Sequence, residues 1–200
     1  MDRIITIGRQ FGAGGREIGK AVAAKLEIPY YDKELLVVAA KESGLDTRFL
    51  ENYDERTNSL LYSLVMGQAG RFYGGHQYDT VETLAARAQR EALLSVARNG
   101  PCVIVGRCAD VILRNEARLL RVFVSANEAD RIAHVCKRDG VNENEAAAKL
   151  RRMDRERRNY YNGTTDGDWG HASSYDLCLN TSVIGKERCV EIIVNCALAE

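Results

Sequence analysis

Two kinds of apolar pattern alternate along the chain. Residues 3–7, Cys102–Gly106 and Leu119–Val124 are short, continuously apolar runs, as in strands buried on both faces of a parallel sheet. Between them apolar residues recur every three to four positions, as on a helix with one inward stripe. Ile18, Val22 and Leu26 form that stripe in residues 15–27, and Val190, Ile193, Val194 and Ala197 form it in 186–199. Further helices are expected from about Lys33 to Gly44, with Leu35, Leu36, Val38 and Ala39 inward, and over 80–98, where Asn99-Gly100-Pro101 ends the helix. A helix capped by Ser125 or Asn127 runs through about Arg138, and a long charged one covers 142–161. Pro29–Asp32 reads as a short extended piece, Gly163–Ser174 as a polar loop and Tyr175–Asn180 as a last strand. Strands alternating with helices predict an α/β fold with helices on both faces of the sheet.

Residues 46–78 break the pattern. The aliphatic stretch Leu60–Met66 is followed by Gly67, Gly70, Gly74 and Gly75 with aromatics between them, so an insertion or mobile cover is expected here. No internal repeat or low-complexity linker appears, and 200 residues suit a single domain, 1–200. Lys+Arg and Asp+Glu are 28 each, and this balance does not favour duplex nucleic acid as a partner. No apolar stretch approaches the ~20 residues that cross a bilayer. The N-terminus enters a strand directly, without the pattern of a secretory leader. The six cysteines form no C-x-x-C pair and mostly lie in apolar runs, so reduced, buried thiols in a cytoplasmic protein are expected.

The chemistry is concentrated where the first strand meets the first helix. Gly8-Arg-Gln-Phe-Gly12-Ala13-Gly14-Gly15-Arg16-Glu17 is a glycine-rich turn followed at once by a helical pattern, the layout of a phosphate-binding loop. The glycines at 12, 14 and 15 let backbone N–H groups approach a polyphosphate. The loop departs from G-x-x-x-x-G-K-[ST]. With Gly14 as its last glycine the next residues are Gly15 and Arg16; with Gly15 they are Arg16 and Glu17. Neither alignment supplies the lysine or the magnesium-binding hydroxyl. Arg16 is the nearest cation in sequence, and Lys20 lies one turn further along the helix. Glu17 either holds Mg²⁺ directly or pairs with Arg16 or another arginine. Arg107 follows a buried strand at its C-terminal edge, where ligands of open α/β sheets sit. Residues 151–158 hold five arginines in eight positions, with 151, 154, 155 and 158 on one helical face and Arg157 one turn beyond Asp154. His76, His134 and His171 are scattered and do not read as catalytic bases. Tyr160, Tyr161 and Trp169 read as docking the polar loop onto the core, and Asp176 as a turn or cap.

The loop, Val103–Arg107, the arginine-rich helix and Tyr175–Thr181 together resemble, in order and over nearly the whole chain, the cytidylate kinase-like family of P-loop nucleoside monophosphate kinases. The resemblance implies a P-loop NTPase-type sheet with a helical lid, here 142–174, and the use of ATP and Mg²⁺. Gly12, Ala13, Gly14, Gly15, Arg16, Glu17 and Lys20 would then hold the donor nucleotide. Gly15 stands where the family's lysine would be and Glu17 where its threonine would be. Gly106-Arg107-Cys108 matches a G-R-D whose arginine contacts the acceptor, with the aspartate displaced to Asp110. Asp154 and Arg157 keep the spacing of the lid's R-D-x-x-R. The acceptor motif is only echoed by Tyr31-Asp32-Lys33-Glu34.

The function implied is transfer of the terminal phosphoryl of ATP to a nucleoside monophosphate such as CMP. Arg16, Arg107, Asp154 and Arg157 would serve as catalytic residues, and Arg151 and Arg155 would close over the nucleotide. Two alternatives stand beside it: a degenerate nucleotide-binding sensor, since the loop lysine and threonine are absent, and a kinase for a non-nucleotide acceptor. The Leu60–Met66 stretch leans the expected assembly towards a homodimer.

Overall fold

The apolar runs become strands: β1 (Ile4–Arg9), β2 (Tyr30–Tyr31), β3 (Cys102–Val105), β4 (Leu119–Ser125) and β5 (Leu177–Asn180). The computed structural model describes residues 2–32 and 81–199, with only the helical backbone over 81–88. Among the described residues the sheet order is β2-β3-β1-β4-β5, parallel throughout. The central strand β1 sets Ile4 opposite Cys102 on one side and Leu119 on the other. That placement buries both its faces, which is why its sequence is apolar without alternation.

The helices are α1 (Gly15–Leu26), α2 (Val81–Arg98), α3 (Ala109–Ile112), α4 (Glu128–Asp139), α5 (Glu143–Thr164), α6 (Thr181–Ile184) and α7 (Lys186–Leu198). The inner stripes of α1 (Ile18, Val22) and α7 (Val190, Ile193) join Ile5, Ile7, Val103 and Val122 of the sheet in one core. A smaller cluster holds Val135 of α4 with Ala146 and Leu150 of α5, and Phe11 of the glycine-rich loop packs against it. The turn between α4 and α5 is specified locally. Gly140 takes φ 68 at the C-cap of α4, and Asn142 and Glu145 form a reciprocal capping box that starts α5.

Three boundaries differ from the sequence reading. The first strand runs on to Arg9, so Arg9 projects from a strand rather than from a loop. Helix α5 continues through Gly163 to Thr164, one turn into the expected polar loop. The short helices α3 and α6, of four residues each, are too brief to leave an apolar period. The six cysteines are free, but Cys178 is exposed rather than buried because β5 leaves one side of itself to solvent.

By internal contacts the chain divides into two compact units, Met1–Asp32 with Val96–Glu200 and Lys33–Ser95. The site residues discussed below belong to the first. The expected helix from Lys33, the Leu60–Met66 stretch and the glycines that follow it lie outside the described residues. Among the described residues no helix is long and apolar enough to cross a membrane.

Candidate functional site

The chain leaves β1 at Arg9, turns through Gln10–Gly14 and enters α1 at Gly15. Gly12 and Gly14 both take φ 81, left-handed backbone that a side chain would strain, and a Cβ on Gly12 would also press on Arg131 at 3.1 Å. Gly14 is the N-cap of α1 and no side chain caps this end. The first N–H groups of α1 and the positive end of its dipole are therefore left for an anion. The loop is held from several sides. Phe11 N–H donates to Asp154 Oδ1 at 2.7 Å, and Thr181 Oγ1 donates to the Ala13 carbonyl at 3.2 Å. Arg157 Nη1 donates to the Arg9 carbonyl at 3.1 Å.

Arginines gather on the β3 side of this loop. The Arg9 side chain crosses the α-carbon of Gly15, where an added Cβ would lie 2.6 Å from Arg9 Cβ and 2.9 Å from Cγ, and its guanidinium reaches Gly106. Arg16 Nε donates to Asp32 Oδ2 at 2.6 Å, and the Tyr30 hydroxyl approaches the same oxygen at 3.4 Å. Arg107 lies in a run of left-handed residues, Gly106 (φ 80), Arg107 (φ 61) and Cys108 (φ 52). Two non-glycine residues in this region cost about 1–3 kcal/mol each, and such strain concentrates at ligand sites. Arg157 stacks over the Phe11 ring at 5.4 Å, with Arg138 over it at 4.9 Å.

The charges act on one another. Desolvation lowers the Arg9 pKa most, with Arg107 and Arg16 pushing it further down and Asp32 opposing. Desolvation also brings Arg157 down to about 9, with Arg9 and Arg16 adding to the effect and Asp154 and Asp32 opposing it. Arg9, Arg16 and Arg157 thus share Asp32, and Arg157 also feels Asp154. The latter is already bonded to Arg131 Nη1 at 2.6 Å. Like charges brought this close in a desolvated place need an anion to balance them.

The other expected residues are placed less uniformly. Glu17 is bonded to Lys186, the first residue of α7, and its other oxygen lies 3.4 Å from His134 Nε2. Its partners are thus a lysine and a histidine, and neither of them is the Arg16 or lid arginine that the sequence suggested. Lys20 is exposed and sits over the Tyr30 ring at 5.8 Å. Arg151 and Arg155 are exposed on α5, so the structure does not bring them to the loop. Trp169 meets Phe123 edge-on at 5.4 Å and Tyr161 is buried, so aromatic residues dock the segment after α5 onto the sheet. The Tyr161 hydroxyl donates to Asp110 Oδ2 at 2.7 Å, and burial raises the Asp110 pKa against that bond. Asp176 binds the backbone N–H and guanidinium of Arg121 at 2.8 and 2.7 Å, where β5 begins.

Sequence reading missed Arg9, Phe11, Arg131 and Lys186. For Arg9 a signal was present: with Gly14 as the second glycine of G-x-x-x-x-G-K, the first glycine falls on Arg9. Phe11, Arg131 and Lys186 have no such signal, because their importance comes from the elements that the fold lays beside the loop.

Among the described residues, a five-stranded parallel sheet whose central strand ends in a glycine-rich loop and an uncapped helix places the chain in the P-loop class of α/β folds. The model of the cytidylate kinase-like family matches residues 4–183, and the chain belongs to that family. A cytidylate kinase of Pyrococcus horikoshii is 25% identical over 191 residues, covering 95% of this chain and 85% of the relative. Among solved structures, an uncharacterized protein from Eubacterium ventriosum superposes with TM-score 0.74 at 24% identity, covering 99% of each chain. A shikimate kinase from Bacteroides thetaiotaomicron gives TM-score 0.55 at 14% identity, covering 98% of each, and shares the fold.

Proposed function

We propose that the protein transfers the terminal phosphoryl group of ATP to a nucleoside monophosphate, with CMP the first acceptor to test. The observation that carries this reading is the gathering of Arg9, Arg16 and Arg107 beside an uncapped helix N-terminus, with Arg157 bonded to the Arg9 carbonyl. Phosphoryl transfer asks a protein mainly for alignment and for positive charge around the migrating group. The donor polyphosphate lies on the N–H groups of Gly14–Glu17. The acceptor phosphate approaches from the C-terminal ends of β2 and β3, where Arg107 and the Arg16–Asp32 pair stand. Arg157 covers the transferring group, and Arg151 and Arg155 swing in from α5 when it closes, excluding water.

Mg²⁺ enters with the nucleotide, held by phosphate oxygens and water, as this ion commonly is. Among the described residues no three His, Cys, Asp or Glu side chains converge to cage it. Glu17 would have to leave Lys186 to bind a metal, so no step is assigned to it.

A coupled assay of ADP release over a panel of nucleoside monophosphates tests the reading. Turnover with CMP above the no-acceptor background is expected. A panel without turnover, from a protein that still binds a non-hydrolysable ATP analogue in calorimetry, defeats the nucleoside monophosphate kinase reading and leaves a non-nucleotide acceptor to be tested against a sensor. The glycine at 15 and the Lys186-bound Glu17 support the sensor.

A further inference from the structure

We propose that Arg9 supplies the triphosphate with the positive charge that a lysine supplies in an ordinary phosphate loop, and that Gly15 is glycine because Arg9 passes over it. The inference rests on the reading of the loop as a triphosphate site. It begins with a reciprocal exchange. In G-x-x-x-x-G-K the first glycine and the lysine lie six positions apart; here those positions hold Arg9 and Gly15. A chain that had merely lost the lysine would have no reason to gain an arginine at the glycine.

The structure supplies the reason. Arg9 is the last residue of β1, and its side chain runs across Gly15 towards Gly106. A Cβ on Gly15 would stand 2.6 Å from Arg9 Cβ, closer than carbon atoms approach, so a lysine at 15 and an arginine at 9 exclude each other. One side chain fills the space between the helix N-terminus and β3, and it starts from the opposite side of the loop. Of the cations nearest in sequence or at the same helix end, Arg16 is paired with Asp32, Lys186 with Glu17, and Lys20 lies over the Tyr30 ring, while Arg157 donates to the Arg9 carbonyl. Arg9 is instead crowded by Arg107 and Arg16, with Asp32 its opposing carboxylate. A terminal phosphate seated at the start of α1 would relieve that crowding. The guanidinium would hold it in two parallel hydrogen bonds where a lysine offers a point charge.

The test measures binding of a non-hydrolysable ATP analogue, with adenosine as the phosphate-free control. The proteins are the parent, Arg9→Met, Gly15→Lys and the double Arg9→Gly/Gly15→Lys, each with its thermal melt. Arg9→Met keeps the buried volume and should weaken the analogue roughly tenfold or more while leaving adenosine unchanged. Gly15→Lys alone should also lose affinity, because the new side chain collides with Arg9. The double variant restores the ordinary order of glycine and lysine and should bind the analogue better than either single variant, a non-additive result. A folded Arg9→Met that binds the analogue as tightly as the parent overturns the inference and leaves the kinase reading standing. So does a double variant no better than Gly15→Lys, and this comparison decides the matter even if Arg9→Met does not fold. A parent that binds no analogue overturns both.

Discussion

At the scale of single residues, the buried carboxylates of the site depend on a few specific donors. Asp32 is 7% exposed in its side chain and takes its ion pair from Arg16, itself 55% exposed. Among the described residues, Arg16→Ala leaves that carboxylate with the Tyr30 hydroxyl as its side-chain donor. The expected loss in a denaturant melt is about 1 kcal/mol, the low end of the ~1–3 kcal/mol range for an unsatisfied buried group, because water reaches the Arg16 side. Affinity for an ATP analogue should fall less than in Arg9→Met, since Arg16 faces the β2 side. Asp110 is the stricter case, with 7% exposure and the Tyr161 hydroxyl as donor. Tyr161→Phe removes the donor and keeps the ring, and about 1–3 kcal/mol of stability should be lost. A melt unchanged from the parent would mean that this hydroxyl holds nothing.

At the scale of elements, α5 matters through where it is tied. Asp154 joins its middle to the Phe11 N–H and, through Arg131, to α4. This carboxylate therefore reads better as a residue that positions the loop than as one that touches phosphate. Asp154→Ala leaves the Phe11 N–H unanswered and Arg131 Nη1 with only the Phe11 carbonyl at 3.4 Å, in a partly buried place, which should cost about 1–3 kcal/mol. It should raise the KM for ATP through a loosened loop more than it lowers kcat. A kcat loss at unchanged KM would instead restore a direct role. The α4–α5 turn carries a pH signature. Arg138 and Lys149, bonded to Asp139 at 2.6 and 2.7 Å, hold its carboxyl well below the usual carboxylate range. A depressed folded pKa stabilises above the unfolded value of ~3.9 and is lost as pH falls below it. Asp139→Asn should therefore lower the melting temperature at pH 7, and the gap to the parent should begin to narrow only as pH falls below about 4. Curves for the two proteins that stay parallel below that pH would remove Asp139 from the acid response.

At the scale of the whole molecule, the sheet carries the site as a rigid edge. The strands β1 and β3 end beside one another, so the last residue of β1, Arg9, and the turn after β3, with Arg107, come to one place. Desolvated like charges make the nucleotide-free state less stable than it would be with an anion in place. An ATP analogue at a hundred times its Kd stabilises by about 2.7 kcal/mol, which in a protein of this size raises the melting temperature by roughly 5–10 °C. Adenosine at the same multiple of its own Kd gives the same gain, so the informative comparison is at equal concentration, where the analogue should give the larger shift. Equal shifts would speak against phosphate as the balancing charge.

Most of the architecture was determined by the sequence alone, because strand and helix are local consequences of apolar spacing. The runs at 3–7, 102–106 and 119–124 could only be buried strands, and the glycines at 12 and 14 could only serve a turn with positive φ. The loop's address in the fold and the candidacy of Arg107 followed from the same pattern. Which cation meets the loop did not follow, since proximity in sequence pointed to Arg16 and Lys20. The strand direction at Arg9 and the missing Cβ at Gly15 send one arginine across the loop, while Asp32, distant by 16 residues, draws Arg16 away. Likewise the arginine run on α5 looked uniform as a string of charges. Only its packing against Phe11 and Arg9 separates the half-buried Arg157 from the exposed Arg151 and Arg155, because burial is a property of the neighbours and not of the residue.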